Sequence, residues 1–152
     1  MKRRSRSTAR ISPNGTLVRR MAWFRYQLRQ FVRFSEQAAR ACDVTPQHHQ
    51  LLLGIAGYTG RGWATISELA EFLQERHNAV VGLVERAARK GLVEKQQGAR
   101  DRRYVRVTLT PRGEKILAKL IALHQDELAR VRGHLQAVSR MRPRSIKPSP
   151  GS

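Results

Sequence analysis

The stretch from Thr65 to Thr110 narrows the folds open to this chain more than any other, because its apolar period switches from helical to strand-like across short breaks. Leu69, Ala70, Phe72 and Leu73 predict a helix over about 66–74, opened by Thr65 and Glu68 at the spacing of a capping box. After a tight break, Val80, Leu83, Val84 and Ala87 form the apolar face of a second helix, from about Arg76 to Lys90, with Gly91 just past its end. Leu92 to Lys95 and Tyr104 to Thr110 then have strand character. Val105, Val107 and Leu109 alternate with Arg106 and Thr108, as a half-buried strand requires. Residues 96–103 join them as a polar, glycine-containing hairpin tip, and Trp63-Ala64-Thr65-Ile66 has the composition of a further short strand. Two short helices, a break and a basic-tipped hairpin make a winged helix-turn-helix.

Long helices flank this unit. Leu17, Met21, Phe24, Leu28, Phe31, Phe34, Ala38 and Ala41 recur in steps of three and four and predict a helix over 17–41. Thr45-Pro46 is a helix start, with threonine as cap and proline in the first position, and that helix runs out near Gly57, before a glycine-rich loop to Gly62. Thr110-Pro111 repeats the signal. The helix it opens continues to about Arg140, roughly 45 Å at ~1.5 Å per residue, which is more than a core this small needs. Residues 1–16 and 143–152 are basic, serine- and proline-containing tails too poor in apolar side chains to order themselves. The expectation is one domain, 17–142, mainly α with a small β-hairpin wing. Within it, 45–110 is the reading part and 17–41 and 111–140 are the long end helices.

The net charge of +19 calls for a polyanionic partner, since clustered basic side chains release the counterions condensed on nucleic acid. Residues 1–20 carry seven basic side chains and no acid, and residues 139–152 carry four and no acid, so +8 remains between them. No apolar run nears the ~18 residues of a membrane span, and the basic N-terminus lacks the apolar segment of a secretory leader. A single cysteine fits a reducing compartment. The chain is therefore expected to be cytoplasmic, with no membrane partner.

The second helix of the pair is the one that enters a major groove. Its first turn holds Arg76, His77 and Asn78, and Val81 and Arg86 follow on the same helix. At the hairpin tip Arg100, Arg102 and Arg103 can reach phosphates or a narrow minor groove, and Asp101 makes sense as the carboxylate that holds a neighbouring guanidinium in place. Each has a plainer reading: solvated hairpin charges at the tip, an internal ion pair for Arg86, an exposed loop residue for His77.

Ile66 to Leu73, Gly82-Leu83-Val84-Glu85-Arg86, Lys90-Gly91-Leu92-Val93, Asp101-Arg102-Arg103 and Val107 to Gly113 occur in an order and spacing that resemble the MarR family of winged-helix transcriptional regulators, over about residues 21–138. The resemblance implies a homodimer built through the helices at 17–41 and 111–140. It also implies binding to short palindromic operators in double-stranded DNA, usually with repression, and often release by a small aromatic or phenolic effector. By position, Arg102 matches the wing arginine of the minor groove and Asp101 the acid that orients it. Asn78 falls where the family often has serine or threonine, and Arg86 matches a recurrent arginine of the same helix. Gly82 and Ala87 depart from the pattern, standing where a longer polar residue and a leucine are usual.

Trp23, Tyr26 and Phe31 are candidates to line an effector pocket, against the plainer reading of core or dimer contact. Cys42 sits beside Asp43, whose charge disfavours a reactive thiolate, and is read as a packed thiol. With His48 and His49 it matches no usual zinc spacing, and those histidines read as ordinary first-turn residues, so no metal is expected. No nucleophile–base grouping or phosphate loop marks an enzyme, and no cofactor is expected. The alternative is a nonspecific RNA- or chromosome-associated winged-helix protein, for which two long end helices have no evident use.

Overall fold

The computed structural model describes residues 15–98 and 104–140. Five helices and three strands follow in the order α1 (Thr16–Ala41), α2 (Pro46–Leu53), β1 (Trp63–Thr65), α3 (Ile66–Leu73), α4 (His77–Arg89), β2 (Val93–Gln97), β3 (Val105–Leu109) and α5 (Pro111–Arg140). Threonine caps start three of the helices. The Thr45 side chain accepts from the amide of His48 at 3.1 Å, that of Thr65 from Glu68 at 3.3 Å, and that of Thr110 from Gly113 at 3.0 Å. At α3 the capping box is complete, because the Glu68 carboxylate accepts from the Thr65 amide at 2.8 Å.

The sheet differs from a bare hairpin. It has three antiparallel strands in the order β1-β3-β2, with Ala64 opposite Val107 and Val93 opposite Leu109. The added strand closes one side of the wing base and places the start of α3 beside β3. The main core lies between the helices and the inner face of this sheet, where Leu51, Leu52, Ile55, Leu69, Val84 and Val107 are fully buried. Burial of such side chains is worth about 1.5–3 kcal/mol each relative to exposure.

Two breaks lack their usual sequence marks. The chain leaves α3 through Gln74, a non-glycine residue at φ 54°, and α2 runs on into one wide π-type turn over Gly54–Tyr58. Gly54 is needed there because a side chain at that position would meet the Phe72 ring at 2.7 Å.

The long helices pack on each other, and the stripe read on α1 is covered only toward its end, at half-buried Phe34 and buried Ala38. The buried residues of α1 are Gln27, Ser35, Ala38 and Ala39. Of the apolar stripe read from the sequence, Leu17, Met21, Phe24 and Leu28 stay exposed, with Leu17 at 70% and Met21 at 57%. On α5, Ile121, Leu123 and Leu128 are exposed as well.

Candidate nucleic-acid interface

Helix α4 follows α3 after Gln74, Glu75 and Arg76, and presents one uncovered side. Val80, Leu83, Val84 and Ala87 hold it to the core. Arg76, His77 and Asn78 are all exposed, Val81 and Gly82 are half-buried, and Glu85, Arg86 and Arg89 are exposed again. No side chain caps the first turn of α4, and no acid lies in it. Its amide donors and positive dipole end therefore stay available to an anion.

Gly82 has a local reason. The Arg86 guanidinium folds back over it, so that a Cβ there would lie 3.3 Å from Arg86 Nη1. Among the described residues Arg86 has no carboxylate partner, whereas Glu85 pairs with Lys95 of β2 at 3.8 Å and links α4 to the wing. Arg100, Asp101, Arg102 and Arg103 lie outside the described residues. What is described is the frame that carries them: β2 and β3 in register, closed by the Gly98 amide donating to Tyr104 O at 2.8 Å.

A model of the MarR family matches residues 43–103, from the end of α1 through the helix pair and the wing tip. Over these residues the chain is similar to the MarR family. Solved structures similar to this chain include the Mycobacterium tuberculosis regulator MOSR in complex with DNA, 28% identical with a TM-score of 0.56, covering 77% of this chain and 78% of that one. Escherichia coli MarR is 24% identical at a TM-score of 0.62, with coverage of 83% and 87%. Bordetella bronchiseptica BpsR, whose DNA binding is regulated by 6-hydroxynicotinic acid, is 19% identical at 0.60, with coverage of 84% and 88%. The last two show likeness of fold. No curated protein matches the sequence.

Behind α4 lies an open cleft of about 300 Å³, lined among others by Phe31, Ser35, Gln50, Leu73 and Leu83, where α1 and α2 meet the helix pair. Phe31 reaches it. Trp23 and Tyr26 do not line it; they stack on each other with centroids 5.1 Å apart on the exposed side of α1.

Sequence reasoning missed the histidines. His48 and His49 stand in the first turn of α2, as expected, but both are buried, and Cys42 is buried as well. His49 lies against His124 of α5, centroids 4.9 Å apart, with its Nδ1 3.4 Å from Ser35 Oγ of α1. Phe31 and Phe34 turn edges toward His124, whose Nδ1 lies 2.7 Å from Leu120 O. Among the described residues no group of three or more His, Cys, Asp and Glu is placed to hold a metal. Burial, and then the charge of His124, push the His49 pKa down to about 4. Burial, then Lys90 and Arg86, lower that of His48.

The depressed pKa of His49 makes stability depend on pH. The unfolded residue titrates near 6.5, so between about 6.5 and 4 the unfolded chain binds a proton that the folded chain refuses. Stability is complete above pH 6.5 and falls as pH drops through that window, by on the order of 2–3 kcal/mol from this group. Urea midpoints at pH 7 and pH 4.5 should separate clearly for the wild type and much less for His49→Phe. Equal separations would remove His49 as the cause.

Proposed function

We propose that this protein is a homodimeric, sequence-specific DNA-binding regulator that represses from palindromic operators. The observation that carries the reading is the uncovered side of α4, with Arg76, His77 and Asn78 exposed at an uncapped helix start inside a winged-helix frame. The two copies meet through α1 and α5, whose exposed Leu17, Met21, Leu28 and Leu128 find no cover among the described residues. Val81 and Arg86 extend the reading surface along α4, and Arg100, Arg102 and Arg103 act at the wing tip, with Asp101 positioning Arg102. MOSR in complex with DNA supports the partner, and BpsR supports an aromatic effector, for which the cleft reached by Phe31 is the place. The same reading puts the protein in the bacterial cytoplasm, on the nucleoid, as a regulator and not an enzyme. No described helix is long and apolar enough to cross a membrane.

Selection of bound duplexes from a random pool tests the proposal. An inverted repeat with half-sites one helical turn apart, ~34–36 Å, is the expected product. Recovery of no consensus, together with a particle of 17.4 kDa instead of about twice that mass, would favour the nonspecific nucleic-acid binder that the charge of +19 also suits.

A further inference from the structure

The outer face of the three-stranded sheet holds a cluster that the reading helix does not use. Trp63 and Arg106 lie on that face, opposite in orientation to the buried Ala64 and Val107. The Arg61 guanidinium carbon sits 3.8 Å from the Trp63 ring centroid, and that of Arg106 sits 4.4 Å from it. Tyr104 packs edge-on to the same indole at 6.4 Å, with the Arg106 guanidinium 5.7 Å from its ring.

Two guanidinium groups within about 8 Å of each other repel unless countercharges are near. Arg61 has one: its Nη2 donates to both oxygens of Glu68 at 2.7 Å, and Glu68 is itself fixed by the capping box of α3, where it accepts from the Thr65 amide. Arg106 is exposed and, among the described residues, pairs with no carboxylate; Glu94, on the same face one strand over, makes no ion pair with it. The cluster of Arg61, Glu68 and Arg106 thus carries one uncompensated positive charge, on an exposed arginine whose guanidinium lies over an aromatic ring. A phosphodiester is the matching anion, because a guanidinium takes two of its oxygens at once.

We propose that Arg106, positioned by Trp63, binds a backbone phosphate of the DNA duplex beyond those met by α4 and the wing tip. The inference rests on the DNA-binding reading. Arg106 stands four positions after Arg102 in sequence, no more than about 14 Å of extended chain, so its side chain reaches the neighbourhood of a phosphate next to any that Arg102 meets. A contact to phosphate adds affinity without reading bases.

The test compares full-length wild type, Arg106→Gln, Arg106→Lys, Trp63→Ala and Trp63→Phe on a duplex chosen by selection and on a scrambled duplex, across a salt series. Arg106→Gln should lose affinity several-fold on both duplexes alike, and the slope of log K against log salt should become shallower by about one, as expected when one phosphate fewer is neutralised. Arg106→Lys keeps the charge and should keep most of the slope. Trp63→Ala should reproduce the Arg106→Gln loss with no change of charge, and Trp63→Phe should restore affinity, each with a melting temperature checked alongside. An unchanged slope in Arg106→Gln overturns the inference while leaving the regulator reading intact. Equal wild-type affinity for both duplexes, with the slope still shallower in Arg106→Gln, sinks the regulator reading and supports the phosphate role of Arg106.

Discussion

Gly113→Ala is expected to cost this protein about 3 kcal/mol or more and to lower its melting temperature by roughly 10 °C or more. Gly113 sits in the first turn of α5, and a Cβ there would lie 2.1 Å from the carbonyl oxygen of Leu92. That oxygen belongs to backbone and cannot rotate away. It also accepts the Thr110 amide at 3.1 Å, while the Thr110 hydroxyl donates to Gly91 O at 2.6 Å. The end of α4, the start of the wing and the start of α5 therefore meet in one knot of hydrogen bonds, and a methyl group at 113 has to pull it apart. Gly133→Ala is the control, because nothing lies within 4 Å of a Cβ at that helical position and alanine there should be neutral or gain up to ~1 kcal/mol. Thermal unfolding of the two variants decides the matter. If Gly113→Ala melts with the wild type, the close approach of α5 to Leu92 is wrong.

The second large effect concerns recognition. Asn78 is exposed on the first turn of α4 and makes no described hydrogen bond, so Asn78→Ala should leave the fold and its melting untouched. An asparagine there can take the two groups an adenine shows in the major groove, and losing such a pair costs about 1–3 kcal/mol. Fluorescence anisotropy should show the variant binding its selected operator roughly 10- to 100-fold more weakly, with affinity for random duplex nearly unchanged. A uniform loss on both duplexes would make Asn78 a backbone contact and move base reading to other residues of α4.

What can be read from the chain divides by range. The caps at Thr45, Thr65 and Thr110 are legible because each is a contact over three residues between types with a known preference. Gly91 is legible for the same reason, as the positive-φ end of α4 at 68°. The turn at Gln74 is not, since a left-handed glutamine is chosen by the packing of α3 on α4 and leaves no composition signal. The stripe on α1 is visible, but a stripe does not say what covers it. The structure turns Gln27 and Ser35 inward and leaves Leu17 and Met21 outside. The candidate site divides the same way. Arg76, His77 and Asn78 follow from the helix boundary, whereas the meeting of His49 with His124, or of Arg61 with Arg106 on one indole, depends on elements far apart in sequence.

The inward amide of Gln27 has a consequence for movement. It is 2% exposed, and its Oε1 lies 3.2 Å from His134 Nδ1 near the far end of α5. A purely aliphatic seam would let two long rods creep past each other at small cost. Sliding α1 by one turn would strand this amide against hydrocarbon without a partner, which costs a few kcal/mol. Gln27 therefore acts as a detent. The two rods keep their axial setting, so a rearrangement between α1 and α5 has to come from tilting and not from sliding.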